Sequence, residues 1–247
     1  MRMLTFAGRN TKEILRDPLN LLFGLGFPLV LIGLLSVIQA NIPAEAQMEL
    51  FEIQHLAPGV TVFGLAFMTL FSATLIAKDR GSSLLRRLYT TPLTPVDFIL
   101  GYTLPILPIA VAQSVICYVM ALAWGLKPTV GIVWALVGIL PVALLYIALG
   151  LLCGSVLNDK QVGGICGALL TNLSAWLSGI WFDLDLVGGV FKKIAYALPF
   201  VHAVEMERAL CAGDFPLALP HLGPILLYGA AITAAAVFCF LTQMKKQ

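Results

Sequence analysis

The chain has 247 residues, of which 60% are hydrophobic and only 11% are charged, and its mean hydropathy is +0.94. A soluble domain carries about 45–50% apolar and about 25% charged residues, so the composition excludes a water-soluble globule and predicts a polytopic, all-α integral membrane protein. The net charge of +2 argues against a nucleic-acid partner.

Six segments are apolar over the length of about 20 residues that a membrane-spanning helix needs. They cover residues 19–39, 57–77, 99–124, 131–157, 161–182 and 222–243. None of them contains Asp, Glu, Lys or Arg. We therefore expect residues 19–247 to form one six-span transmembrane domain.

The basic residues predict the orientation of these spans. Eleven of the 15 Lys and Arg residues lie in the termini and in the connections on the same side. Because cytoplasmic connections are enriched in Lys and Arg, both termini are expected in the cytoplasm. Ala44-Glu45-Ala46 resembles a signal-peptide cleavage site, but the preceding apolar run exceeds the usual core of about 7–15 residues, so we expect the first span to be retained.

Residues 1–18 mix basic and apolar side chains ahead of the first span. This pattern predicts an amphipathic helix that lies on the cytoplasmic surface of the membrane. The alternative interpretation is a solvated tail.

The residues within the spans also indicate which energy source could drive transport across the membrane. Ion-driven carriers use ionisable groups within the membrane, and the six predicted spans contain no Asp, Glu, Lys or Arg. The sequence also lacks the G-x-x-x-x-G-K-[ST] phosphate-binding loop. Active transport would therefore need ATP hydrolysis by another polypeptide, and we expect no enzymatic activity in this chain. The five cysteines show no metal-binding spacing, so no metal is expected either.

The connection at 78–98, with the sequence KDRGSSLLRRLYTTPLTPVDF, predicts a short amphipathic helix. Gly81 breaks the helix after the second span, and leucines at one-turn spacing form an apolar stripe on the next helix. Pro92 ends that helix, and Asp97 is expected to cap the third span. A surface turn whose arginines serve only to orient the protein is the alternative.

This stretch resembles the connection after the second span in permeases of the ABC-2 transporter family, where a charged pair and a glycine precede a short helix and a Thr-Pro-Leu turn. The resemblance implies a cytoplasmic coupling helix that fits a groove on an ATP-binding subunit. The contact residues that it implies are Asp79, Arg80, Gly81, Leu84, Leu85, Arg87, Leu88, Thr91 and Pro92.

The connection at 183–221 contains an apolar run at 194–204 that is too short to span the bilayer. We expect an outer re-entrant or interfacial helical hairpin there, interrupted at Pro199 and ended by Gly213. The same family has a motif of Pro, an apolar residue, any residue and a small or basic polar residue, followed by five residues and Arg. This chain matches it at Pro199-Phe200-Val201-His202 and Arg208.

The resemblance implies that Pro199, Phe200, His202 and Arg208 belong to an outer gate. For Arg208 the alternatives are contact with lipid headgroups or an ion pair with Glu205. His202 is more often a satisfied interfacial residue than a ligand.

Small residues at a spacing of four let membrane helices approach closely. Gly150, Gly154, Gly163 and Gly167 have this spacing at the end of the fourth predicted span and the start of the fifth. They are expected to pack these two spans together.

Taken with the resemblance, the sequence predicts the permease half of an ATP-driven ABC exporter in the bacterial plasma (inner) membrane. Its cargo would be an amphipathic drug or antibiotic, or a lipid-like or lipid-linked substrate. Its partners would be a pair of ATP-binding subunits that carry ATP and Mg²⁺, a second copy or a homologous permease, and membrane lipid. The alternatives are an ion-coupled secondary transporter or channel with no ATPase partner, and an intramembrane enzyme, for which no catalytic pair is visible.

Overall fold

The computed structural model describes residues 2–43, 45, 47–82 and 94–244 of the chain. Within these ranges the secondary structure is helical and includes no β-strand. A helix satisfies its backbone hydrogen bonds internally, which an apolar environment requires. The all-α prediction is confirmed.

We number the helices of the described residues in chain order. They are α1 (Arg2–Leu15), α2 (Pro18–Asn41), α3 (Ile53–Gly81), α4 (Pro95–Ala123), α5 (Val130–Val156), α6 (159–176), α7 (Leu184–Val187), α8 (Gly189–Ala197), α9 (Pro199–Ala212) and α10 (Phe215–Met244). Two of them contain π-helical stretches, α2 at Leu22–Gly26 and α6 at Gly163–Leu170.

Five helices in the described part of the chain are long and apolar enough to cross a membrane, namely α2, α3, α4, α5 and α10. The chain is therefore a multi-pass membrane protein. The predicted span at 161–182 is not among the five, because helix α6 ends at Trp176 and Gly179 adopts a φ of +71°. At about 1.5 Å per residue, α6 is slightly shorter than a bilayer core of about 30 Å. A sixth span stays a prediction.

The last span begins earlier than the sequence indicated. We expected it to start at residue 222, but α10 starts at Phe215 and includes Pro220 and Pro224. Asp214 explains the difference, because its Oδ1 accepts a hydrogen bond from the backbone N–H of Leu217 at 3.1 Å. A side-chain acceptor at this position satisfies a free donor of the first turn and fixes the start of the helix.

Helix α3 is the central helix and is buried along most of its length. Helix α5 lies directly against it, with close contact at two glycines. A Cβ atom at Gly150 would lie 2.5 Å from Cβ of Ser72, and one at Gly154 would meet the α3 backbone. The close approach lets Thr69 Oγ1 donate a hydrogen bond to the carbonyl oxygen of Tyr146 at 2.7 Å.

These contacts correct the expected packing of the glycine motifs. The four glycines were expected to join the fourth and fifth predicted spans, but Gly150 and Gly154 face α3. A Cβ atom at Gly167 would also contact α3, at 3.5 Å from Leu70, and one at Gly163 would have no neighbour within 4 Å. Both segments pack on α3 because the central helix lies within reach of each.

The N-terminal residues form a helix that packs on the protein. Phe6, Asn10 and Ile14 lie on one face of α1 and are buried, whereas Leu4 and Leu15 are exposed. The buried face lies mainly against α4 and also contacts α3. This packing places α1 beside the end of α3 and the start of α4, the two elements that flank residues 83–93.

Candidate coupling site

Two groups of polar contacts lie at opposite ends of the central helix α3. We call the end that carries Asp79 the Asp79 end. The start of α3 carries His55, whose carbonyl oxygen accepts a hydrogen bond from Arg208. We call this the Arg208 end.

At the Asp79 end, one buried carboxylate joins three helices. The side chain of Asp79 is only 4% exposed, and its Oδ2 accepts hydrogen bonds from Arg9 Nη1 of α1 at 2.7 Å and from the Tyr102 hydroxyl of α4 at 2.8 Å. Partial burial lowers the pKa of Arg9, but the hydrogen bond and the charge of Asp79 outweigh this and raise it above its ordinary value. A buried charge is tolerated because it is paired and hydrogen-bonded in this way.

Helix α1 has a second attachment to α4. Asn10 Nδ2 donates a hydrogen bond to the carbonyl oxygen of Gly101 at 3.0 Å. The ring of Phe6 packs edge-on to Tyr102 with centroids 5.0 Å apart and stacks on Phe98 at 5.9 Å. Gly101 leaves the space for this ring, since a Cβ atom there would lie 2.2 Å from Phe6. Helix α1 therefore holds both flanks of residues 83–93.

The neighbours of Asp79 reach further helices. Arg80 Nη1 donates hydrogen bonds to the carbonyl oxygens of Gly154 at 2.8 Å and Leu157 at 3.1 Å, at the end of α5. A cation at this position also complements the helix dipole. Lys78 Nζ lies 3.6 Å from Asp17 Oδ2, immediately before α2. The Lys78-Asp79-Arg80 triplet thus joins the end of α3 to α1, α4, α5 and the start of α2.

The start of α4 has a capping box. Thr94 Oγ1 accepts a hydrogen bond from the backbone N–H of Asp97 at 3.2 Å, and Asp97 Oδ2 accepts one from the backbone N–H of Thr94 at 3.0 Å. We expected Asp97 itself to be the cap. The N-cap is Thr94, and Asp97 is its partner three residues later, a reciprocal arrangement that satisfies two free donors.

Three of the implied coupling residues are described by the structure. Asp79 and Arg80 make the contacts given above, and Gly81 is the last residue of α3. The others lie outside the described residues: Leu84, Leu85, Arg87, Leu88, Thr91 and Pro92. Contact of any of the nine with another subunit stays a prediction.

At the Arg208 end, one arginine connects three parts of the chain. Arg208 Nε donates to the carbonyl oxygen of His55 on α3, and Nη2 donates to that of Gly179, each at 3.3 Å. Nη1 forms an ion pair with Glu205 on the same helix at 3.1 Å. Burial lowers the pKa of Arg208 below its ordinary value, although Glu205 partly offsets this effect.

The other residues of the Pro199–Arg208 motif have separate surroundings. Pro199 is the first residue of α9, where its missing N–H is tolerated. Phe200 is buried, and His202 contacts His221 of α10. The structure therefore does not bring His202 and Arg208 to one point. Gly213 ends α9 in the left-handed region with a φ of +84°, as predicted.

Helix α9 carries a buried carboxyl group that the sequence did not predict. Glu207 is fully buried, and its Oε2 accepts a hydrogen bond from the Tyr118 hydroxyl of α4 at 3.2 Å. Burial raises the pKa of Glu207 well above its ordinary value. Gly138 of α5 makes room for it, since a Cβ atom there would lie 3.1 Å from Glu207 Oε1. We had assigned Glu207 to an outer connection, because its charge alone did not reveal that α9 packs between spans.

An apolar groove of about 830 Å³ lies between α4, α5 and α10. The hydroxyl groups of Thr103 and Thr233 in its lining donate to carbonyl oxygens of their own helices, so they place little free hydrogen-bonding capacity in the groove. Leu226 and Phe238 are more than half exposed along it. Next to the groove, the stacked rings of Phe98 and Phe240, 3.8 Å apart, join α4 to α10.

The sequence contained only part of the information needed to predict these side-chain contacts. The charged triplet after the second span indicated the inner membrane–water interface, but the sequence does not show that each side chain reaches a different helix. Nothing in the spacing of His202 and His221, or of Tyr118 and Glu207, predicts that these pairs meet.

Comparison with known protein families gives a match over most of the chain. The sequence model of the family described as ABC-2 type transporter matches residues 2–211. This range includes the Lys78-Asp79-Arg80 triplet, residues 83–93 and Arg208. A search of curated proteins finds no match to the chain.

Proposed function

The chain belongs to the ABC-2 type transporter family, and we propose that it forms half of the transmembrane pathway of an ATP-driven exporter. Membership makes it the permease component of an ABC transporter, a transport component that is not itself catalytic. The proposal adds the direction of transport, the energy source, the cargo and the assembly.

The observation that carries the proposal is the hydrogen-bonded cluster at the Asp79 end. Arg9, Asp79 and Tyr102 connect α1, α3 and α4 immediately beside residues 83–93, and Arg80 adds α5. A displacement of residues 83–93 would therefore move several helices together instead of bending one loop. A segment that is to transmit the movement of a partner subunit needs such rigid flanks.

In the proposed assembly, a pair of ATP-binding subunits lies beneath the Asp79 end, in the cytoplasm of a bacterium. These subunits bind ATP and Mg²⁺, and the nine residues from Asp79 to Pro92 that the family resemblance implies form or support the contact. A second copy of the chain, or a related permease, supplies the other half of the pathway. A sixth span at 161–182, a re-entrant placement of α8 and α9, and cytoplasmic termini belong to the same proposal.

The cargo that suits this chain is amphipathic or lipid-like. The groove between α4, α5 and α10 has an apolar lining and half-exposed apolar side chains such as Leu226. Such a surface favours ligands that bury apolar area and offers little to small ions or sugars. A drug, an antibiotic or a lipid-linked molecule has the corresponding chemistry.

Ion-coupled transport is the alternative with a structural observation behind it. Glu207 is a buried ionisable group that lies between spans. However, it lies against Tyr118 and Gly138 and does not line the groove between α4, α5 and α10. The ATP-driven mechanism is better supported.

A transport assay separates the two mechanisms. Efflux of a panel of amphipathic fluorescent dyes is measured in cells that carry the chain and its ATP-binding subunit, with and without a substitution of the catalytic base in that subunit. We expect the substitution to abolish efflux while the permease remains in the membrane. Efflux that persists and follows the proton gradient would contradict the proposal.

A further inference from the structure

Two histidines form a hydrogen bond where the start of α9 lies against α10. Nδ1 of His202 is 2.9 Å from Nδ1 of His221, and Nε2 of His202 is 3.0 Å from the carbonyl oxygen of Tyr196. A carbonyl oxygen only accepts hydrogen bonds, so Nε2 of His202 carries a proton and donates it. In the neutral ring, Nδ1 then has a lone pair, which accepts a hydrogen bond from Nδ1–H of His221.

This hydrogen bond is compatible with one added proton but not with two. The first proton can bind to Nε2 of His221, because a protonated His221 still donates its Nδ1–H to His202. For the second proton only Nδ1 of His202 is left, and this atom is the acceptor of the hydrogen bond. Two N–H groups of two positively charged rings would then face each other at 2.9 Å, which like charges disfavour.

We propose that His202 and His221 form a pH-sensitive latch, which holds the first turns of α9 on α10 at neutral pH and releases them when both rings are protonated. The separated rings each bind a proton with an ordinary histidine pKa of about 6.5, whereas the contact holds at most one proton. Below about pH 5.5 the separated state therefore binds at least one proton more, and each further pH unit favours release at least tenfold. The proposal does not depend on the direction of transport or on its energy source.

The position of the pair determines which part of the chain is released. His202 lies in the first turn of α9, about 16 Å along the helix from Gly213, where a turn leads to α10. The second half of α9 is also held by Arg208, which donates to the carbonyl oxygens of His55 and Gly179. Release of the histidine contact therefore loosens the start of α9 and leaves its end attached.

The charged and titratable groups that face the pair have partners of their own. On α9, Glu205 interacts with the charge of His221 and forms the ion pair with Arg208 at 3.1 Å. On α8, the ring of Tyr196 lies edge-on to that of His202 with centroids 6.0 Å apart, and Lys192 lies over the Tyr196 ring and pairs with Asp185.

Tyr228 of α10 limits how far the release extends. Its hydroxyl donates a hydrogen bond to the carbonyl oxygen of Ala197, the last residue of α8, at 2.6 Å. This bond does not involve either histidine, so the end of α8 stays on α10 when the rings separate. Both histidine rings are partly exposed, so protons reach them from the solvent.

The test measures hydrogen–deuterium exchange of the purified full-length chain in detergent at pH 8 and pH 5, corrected for the intrinsic effect of pH on exchange. The readout is the protection of the backbone amides of residues 203–206, which form the first hydrogen bonds of α9. In the wild type we expect this protection to fall about tenfold between pH 8 and pH 5. Glu207 of the same helix cannot cause such a loss, because its raised pKa makes the fold more stable at acid pH.

His221→Asn is expected to keep the contact and to remove its pH dependence. An amide group both donates and accepts, so it can pair with Nδ1 of His202 whether or not that atom is protonated. Protection in this variant, and in His202→Asn, should be the same at both pH values. His55→Asn is the matched control, because His55 is the third histidine of the chain, lies near Glu49 at 3.9 Å and should keep the wild-type response.

Unfolding midpoints measured at pH 8 show whether each variant is folded. The wild-type measurement is decisive by itself, since it needs no variant. Equal protection of residues 203–206 at pH 8 and pH 5 in the wild type would overturn the proposal. A wild-type loss of protection that persists in a folded His221→Asn or His202→Asn variant would do the same.

Discussion

The guanidinium group of Arg9 and the carboxylate of Asp79 lie 2.7 Å apart, although 70 positions separate them in the sequence. The Tyr102 hydroxyl donates to the same carboxylate oxygen. One buried charge therefore holds the N-terminal helix and two spans together, directly before residues 83–93. In our account, movement of an ATP-binding subunit enters the membrane domain at this point.

The first prediction concerns this charge. Asp79→Ala removes the acceptor of two hydrogen bonds, and hydrogen bonds to charged groups contribute about 1.5–3 kcal/mol each. We expect the midpoint of thermal unfolding to fall by several degrees, at about 2–4 °C per kcal/mol. Hydrogen exchange in α1 should become faster, because the helix loses its attachment to α3.

Lys12→Ala is the matched control, since Lys12 lies on α1 and is exposed. It should change neither the midpoint nor the exchange. If Asp79→Ala left both quantities at their wild-type values, Arg9 and Asp79 would not form the attachment described here.

The second prediction concerns the contact of α5 with α3. Gly150→Ala places a Cβ atom 2.5 Å from the backbone carbonyl oxygen of Thr69, so the helices must separate. Overpacking of this kind costs about 1–3 kcal/mol, and the unfolding midpoint should fall accordingly.

Gly163→Ala is the counterpart of that change, because a Cβ atom there has no neighbour within 4 Å. We expect it to be neutral or to stabilise the chain by about 0.4–1 kcal/mol through the lost freedom of the unfolded state. Similar midpoints for Gly150→Ala and Gly163→Ala would show that the glycine contact between α5 and α3 is not close.

The predictability of the fold varied along the chain. Apolar length alone placed α2, α3, α4 and α5 within a few residues, since the bilayer imposes that length on any spanning helix. The predicted start of α10 was wrong because the Asp214 cap precedes the apolar run. The segment at 161–182 is apolar enough to suggest a span, but apolarity does not reveal the π-helical stretch at Gly163–Leu170 or the turn at Gly179.

The candidate site was less predictable than the fold. Family resemblance identified the segment around Asp79, but the partners Arg9 and Tyr102 come from distant positions that only packing brings together. The sequence placed Glu207 in the outer connection at 183–221 and gave no sign that it is buried. The small size of Gly138 is what allows it to be enclosed.

The third prediction concerns Glu207 and pH. Because burial raises its pKa in the folded state, the native chain keeps a proton that the unfolded chain loses above its pKa of about 4.3. Stability therefore falls as the pH rises from that value towards the folded pKa. Glu207→Gln is always neutral and retains an acceptor for Tyr118, so it should unfold at a higher temperature than the wild type near pH 8.

Near pH 4, where the side chain of the wild type is mostly protonated in both states, the two midpoints should converge. Glu45→Gln, at an exposed position, is the control and should show the pH profile of the wild type. A Glu207→Gln variant that is less stable than the wild type near pH 8 would mean that the buried carboxyl is ionised.

The fourth prediction concerns topology. In intact cells, a membrane-impermeant maleimide should label Leu186→Cys, which lies at an 85% exposed position on α7. It should label Arg86→Cys only after the membrane is permeabilised, because the excess of Lys and Arg predicts a cytoplasmic location for this connection. The wild type, with its five native cysteines, gives the background. Labelling of Arg86→Cys in intact cells, with labelling of Leu186→Cys only after permeabilisation, would contradict the proposed orientation.

The central claim is that this chain works through a separate ATP-binding subunit that contacts residues 78–98. Its most direct test is the purification of the tagged, full-length chain from native membranes, followed by measurement of the amount of ATP-binding subunit retained. Loss of a buried apolar anchor at an interface costs about 2 kcal/mol or more, which is about thirtyfold in affinity. We predict that the wild type retains an ATP-binding subunit and that a normally inserted Leu84→Ala/Leu88→Ala variant loses it. A wild-type chain that purifies without any ATP-binding subunit, or a double variant that retains it fully, would contradict the account.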